Sequence, residues 1–103
     1  MRTFETRGSM GATFSVASTD TATALAADKL TNTAGKPMVA ATFICETNNI
    51  RIAIGTDPTQ AGLGWLLYVK DVIRIIGIEN LANLKYISAA AGVAGKLQIL
   101  PEY

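Results

Sequence analysis

The side chains of this 103-residue chain best suited to acid–base chemistry are eight carboxylates: Glu5, Asp20, Asp28, Glu46, Asp57, Asp71, Glu79 and Glu102. Cleavage of a glycosidic bond, the commonest task for paired acids, needs two carboxyl groups held about 5–10 Å apart. None of the eight shows paired spacing, and nearly all fall at turns or termini. Asp57, directly before Pro58, reads as an acceptor of backbone N–H groups in a turn. The chain has no histidine, which removes the usual general base at neutral pH, the commonest zinc ligand and every Ser-His or Cys-His pair. Cys45 is the only cysteine, so an internal disulfide and a thiolate cluster are both excluded. It lies in an apolar run over residues 39–45 with no close basic neighbour, which marks it as a small buried hydrophobe and not a reactive thiol.

Other chemical signatures fail on context. Gly62, Gly64 and Lys70 do not form a phosphate loop, because a strand follows the glycines where that motif demands a helix. Residues 8–11 have the Gly-x-x-Gly spacing of some RNA-binding loops but lack a basic helix beside them. Net charge is only +1 and Arg2, Arg7, Arg51 and Arg74 are scattered, so no field steers the chain to nucleic acid or anionic lipid. No apolar run approaches the roughly 18 residues of a membrane span. The sequence therefore predicts no catalytic residue, metal or cofactor, and neither a nucleic-acid nor a membrane partner. Trp65, the lone tryptophan, reads as core or subunit contact ahead of a stacking platform for sugar or base, and Tyr68, Tyr86 and Tyr103 share that double reading.

The elements that carry these residues are short and β-like. Phe14 and Val16 alternate with Ser15 and Ala17 as a first strand. Residues 20–30 are ambiguous: Asp20 could cap a short helix, while Thr19, Thr21 and Thr23 alternate as in a strand. Asn32, Gly35 and Pro37 mark a turn. Residues 39–46 alternate Val39, Ala41, Phe43 and Cys45 against Ala40, Thr42, Ile44 and Glu46, a clear strand. Three residues later Ile50, Ile52 and Ile54 resume the alternation, which reads as a hairpin. Residues 55–64 are a long polar loop, and residues 65–70 and 72–76 read as a second tight hairpin. Residues 79–84 suit one 3₁₀ turn with Leu81 and Leu84 inward. Residues 85–91 and 96–100 form the last strands, joined by a glycine-flanked turn. Short strands at about ten-residue spacing predict an all-β fold, an antiparallel sandwich or small barrel of roughly six to eight strands. Residues 14–103 form that single domain, and residues 1–13 read as an extended N-terminal arm.

Charged residues make up 17% of the chain and mean hydropathy is +0.30, against a usual charged fraction of about 25%. A small domain with so few charges is expected to bury apolar surface against a partner, as a homo-oligomer or within an assembly.

Ile50-Arg51-Ile52-Ala53-Ile54-Gly55-Thr56, then Pro58-Thr59-Gln60-Ala61-Gly62, then residues 78–89 ending in Tyr86-Ile87-Ser88-Ala89, then Lys96-Leu97-Gln98-Ile99, follow one another in an order that resembles small β-sandwich virion proteins of tailed bacteriophages. The likeness covers residues 21–103. It implies a non-enzymatic structural protein located in the virion and assembled in the host cytoplasm: a capsid decoration or cement subunit that binds itself and the major capsid protein or other virion proteins. A neck or tail accessory protein is the alternative, and a carbohydrate- or host-binding sandwich a further one. The resemblance matches Arg51, Pro58 and Thr59 as a strand and loop signature, and Tyr86 and Ile87 as a packed strand. The contact residues expected are those first three together with Phe4, Arg7 and Met10 of the arm, Trp65 and Tyr103.

Overall fold

Branched apolar residues alternating with small or polar ones favour pleated strands that hide one face. In the computed structural model, which describes residues 10–103, they form β1 (Phe14–Ala17), β2 (Thr23–Ala24), β3 (Ala40–Thr47), β4 (Ile50–Ile54), β5 (Trp65–Leu67), β6 (Val72–Ile76), β7 (Leu84–Ser88) and β8 (Lys96–Glu102). A five-residue helix, α1 (Ile78–Ala82), separates β6 from β7. The strands build two antiparallel sheets, ordered β1-β8-β3-β6 and β2-β7-β4-β5. The all-β sandwich that the strand spacing predicts is the fold. Ahead of β1, Met10 bridges Glu102, and the Gly11 N–H donates to the Pro101 carbonyl at 2.9 Å.

The core lies between the sheets. Ala41, Phe43, Cys45, Leu97 and Ile99 of the first sheet pack against Ile50, Ile52, Leu67, Leu84 and Tyr86 of the second. Full burial of a side chain such as Phe43 contributes about 2–3 kcal/mol relative to exposure. Leu25, Met38 and Leu81 complete the cluster. Leu81 and Leu84 both turn inward as expected, but the turn that carries Leu81 is α-helical and not 3₁₀: Leu81 N–H bonds Gly77 O, and Asn83 N–H bonds Glu79 O, each four residues back.

Strand positions agree with the sequence reading, whereas two predicted pairings do not. β3 and β4 belong to different sheets, as do β5 and β6, so neither short connection is a hairpin. Each is a corner that carries the chain from one layer to the other. Left-handed backbone at Asn48 (φ 51°) and Lys70 (φ 78°) makes the bends. Hydrogen bonds tie the corners together: Cys45 N–H to Asp71 O, Lys70 N–H to Cys45 O, and Val69 N–H to the Asn49 side chain. Among the described residues, the one pair of consecutive strands that do bond each other is β4 with β5, across the long loop of residues 55–64.

Residues 20–30 contain only the two-residue β2 and turns. Asp20 does not cap a helix, because its carboxylate is engaged elsewhere. Oδ1 accepts the Gly92 N–H and the Gln60 side-chain amide, both at 2.9 Å, pinning two other loops. A buried polar contact closes the neighbouring end of the sandwich. The Ser18 and Ser88 hydroxyls lie 2.7 Å apart, and the Gly95 N–H donates to Ser18 Oγ at 2.7 Å. On the outward face of the first sheet, Glu102 is almost fully buried and accepts two bonds from Arg74, at 3.0 and 2.8 Å.

Two substitutions test this backbone with opposite signs. A Cβ at Gly95 would stand 2.7 Å from both Ile50 Cγ1 and the Thr47 carbonyl oxygen, so Gly95→Ala should cost about 1–3 kcal/mol. Lys70→Gly relieves a left-handed residue and should gain about 0.5–1 kcal/mol. Urea midpoints measure both, and a destabilised Lys70→Gly would refute the account of the second corner.

Candidate interaction surface

β5 and β6 are the outermost strands of their sheets, and the corner at residues 68–71 joins them, so both lie on the same side of the sandwich. Trp65 pairs with Ile52 and thus points to the inner side of its sheet. Ile73 pairs with Phe43 and points inward from the other sheet, as does Ile75. Among the described residues no strand lies beyond them. The layers therefore gape at this edge, leaving a groove of about 580 Å³ lined by Ile52, Ile54, Leu63, Trp65, Ile73 and Ile75. Trp65 overhangs it and is 71% exposed, so of the two readings, core or subunit contact, the structure removes the first. Of the ten large apolar side chains exposed among the described residues, eight lie between Ile54 and Ile78. The apolar surface is concentrated at one edge.

The loop of residues 55–64 forms the rim of this groove. Gly64 has φ 118°, and a Cβ there would come 2.9 Å from the Ile52 carbonyl oxygen and 3.1 Å from Pro58 Cβ, so only glycine fits. Arg51 donates to Gly64 O at 3.3 Å, while its buried Nε has no hydrogen-bond partner among the described residues. Thr59 closes the loop through two bonds with Leu63: N–H to its carbonyl at 2.8 Å, and Oγ1 accepting its N–H at 2.9 Å. Asp57 makes an exposed ion pair with Lys85 at 2.7 Å, and this replaces the turn role expected of it.

The predicted contact residues therefore separate. Trp65 stands on the exposed edge, and Thr59 is exposed on the adjoining loop. Pro58 is buried within the loop and Arg51 half-buried beneath it, so both support the groove from inside the subunit. Met10 is exposed beside β8, at the far edge of the same sheet, and Tyr103 donates its hydroxyl to Lys29 O at 2.6 Å. Phe4 and Arg7 lie outside the described residues. Sequence reading missed Leu63, Val72 and Ile76 as exposed apolar groups. The signal available was that residues 72–76 are apolar on both faces of the strand except for Arg74.

Chemistry at the described residues is limited. No group of three His, Cys, Asp or Glu side chains that could hold a metal ion occurs among them. Cys45 is fully buried; burial first, and then the Asp71 carboxylate, push its thiol above the ordinary 9.0, although a backbone hydrogen bond at Ile50 pulls the other way. A neutral buried thiol is a poor nucleophile.

The fold and this edge define a two-sheet antiparallel sandwich with an unclosed apolar side. Searches found no protein-family model, no characterised protein and no solved structure that matches the chain.

Two outcomes follow from this geometry. Trp65→Ala should change folding stability by less than about 0.5 kcal/mol, as for most exposed sites; a large loss in a melting curve would return Trp65 to a structural role. The second concerns pH. The unfolded thiol loses its proton near pH 9 while the folded one keeps it, so the unfolded state binds fewer protons and stability falls as pH rises. Tyr86, pushed up by burial, adds to the fall beyond pH 10. Denaturation midpoints should be level below about pH 8.5 and decline above it; a midpoint constant to pH 10.5 would contradict this.

Proposed function

We propose that this protein is a non-enzymatic structural subunit of a virion, a decoration or cement protein that binds the capsid shell and stabilises it by protein–protein contact. The observation that carries the reading is the concentration of exposed apolar side chains along the β5 and β6 edge. On a chain with 17% charged residues, such a surface suits permanent occupation by a partner. Binding that occurs only to the assembled state stabilises that state by mass action and requires no chemistry. Placement in a virion rests on the sequence resemblance to tailed-phage sandwich proteins, and a neck or tail position is the alternative within it. Copy number separates these positions: many copies per particle indicate the shell, and one ring indicates the neck.

The exposed Trp65 beside an apolar groove also favours a second reading, a sugar-binding sandwich in which the indole stacks on a pyranose ring. One pair of experiments addresses both. Purified protein added to particles lacking it should bind and raise their temperature of disruption. The double variant Leu63→Ser, Trp65→Ala should bind at least ten-fold more weakly at unchanged melting temperature. Particle binding that survives the double variant would overturn the proposal that this edge is the contact. Glycan retention lost in Trp65→Ala, with no particle binding by the parent, would establish the sugar reading instead.

A further inference from the structure

A second cleft, of about 410 Å³, opens on the outward face of the second sheet. Asn49, Arg51, Leu66, Val69, Ala90 and Val93 line it, and none of them lines the apolar groove. Its size falls in the range of about 300–1,000 Å³ that accommodates small ligands. Hydrogen bonds across the sheet end fix the walls. Asn49 O accepts the Ala89 N–H at 3.1 Å, Asn49 Oδ1 accepts the Val69 N–H at 3.2 Å, and the Asn48 side-chain amide donates to Ala94 O at 2.8 Å. The cleft is therefore already formed without a ligand.

Arg51 is the unusual member of this set. Ile50 and Ile52 face the core, so the arginine between them faces outward, with Leu66 and Ile87 as its cross-strand neighbours. Neither can accept a hydrogen bond from its side chain or balance its charge. Neither of the two ion pairs of the described residues involves Arg51. Its guanidinium makes a single bond among them, the long one from Nη1 to Gly64 O at 3.3 Å, and Nε is buried with no partner. A half-buried guanidinium is ordinarily paired, because taking its charge and donors out of water costs free energy that one weak bond does not return.

We infer that this cleft binds a carboxylate carried on a short branched apolar body, with Arg51 as the group that holds the anion. Arg51 is the only charged residue lining the cleft, so the site balances one negative charge and leaves a phosphate dianion half uncompensated. The planar guanidinium suits the two oxygens of a carboxylate. Asn49 adds a second donor: its Oδ1 is occupied by the Val69 N–H, which leaves the amide nitrogen to donate. Leu66, Val69 and Val93 supply apolar walls for the rest of the ligand. Two sources carry this chemistry, a free small acid and the C-terminal residue of a partner chain. The site goes beyond the shell-binding reading and does not depend on it.

Titration of the full chain with acetate, isovalerate and inorganic phosphate, followed by amide and arginine Nε–H chemical shifts, tests the site. Shifts should gather at Asn49, Arg51 and residues 89–93. Isovalerate should bind at least about five-fold more tightly than acetate, since its extra carbons are partly buried, and phosphate should bind more weakly than either. Arg51→Gln should weaken isovalerate about ten-fold or more, the loss of one charged hydrogen bond. Val93 is exposed on the cleft wall, so Val93→Glu supplies a carboxylate from within the chain and should abolish isovalerate binding without lowering the melting temperature, even if Arg51→Gln proves too unstable to titrate. A short peptide ending in valine, compared with its C-terminal amide, identifies the source: an acid form that binds ten-fold more tightly than isovalerate indicates a chain terminus, and equal affinity indicates a free acid, both upholding the site. Phosphate binding tighter than isovalerate, an amide that binds as well as the acid, isovalerate affinity unchanged in Val93→Glu, or no shifts at these residues would overturn it.

Discussion

Two short corners, at residues 47–49 and 68–71, fix nearly everything else about this sandwich. Each carries the chain from one sheet to the other within a few residues, and the two are bonded together through Cys45, Asn49, Val69, Lys70 and Asp71. A tether so short cannot let β5 and β6 drift to opposite sides. Both become edge strands at the same flank, and among the described residues no further strand closes the inner faces of their sheets there. Groove, overhanging tryptophan and two-faced apolar edge strand are consequences of that single connection.

Strand location was legible in the sequence because alternation reports burial directly. Phe43 and Cys45 inward, with Glu46 outside, is readable from residue type alone. Pairing was not legible. A gap of three residues between Cys45-Glu46 and Ile50 suits a hairpin and a sheet-crossing corner equally well, since both need a tight bend and one left-handed residue. At the second corner that residue is Lys70, which gives no compositional sign of the conformation it adopts. The long polar loop of residues 55–64, by contrast, joins two consecutive strands that do bond each other.

Side-chain roles in loops were similarly hidden. The role of Asp20 stays open in the sequence, between helix cap and strand neighbour, because its partners, Gln60 and Gly92, are 40 and 72 residues away. For Trp65, core and subunit contact stay undivided in the sequence, because tryptophan has the largest apolar area available and nothing local to it shows that its strand ends a sheet. The edge became visible only once strand order was known. What the sequence did show was the overall surplus of apolar surface, and the structure supplies its position.

β8 is the last of the described strands, yet it lies in the interior of its sheet, between β1 and β3. Neither neighbour can find its full set of hydrogen bonds until residues 96–102 have left the ribosome. The first sheet must therefore assemble after synthesis has passed residue 102, through contacts of high sequence separation that make folding slow. During that interval β6 has its apolar faces but no finished sheet behind it, so a nascent chain held near its sisters risks strand exchange before it has a fold to protect.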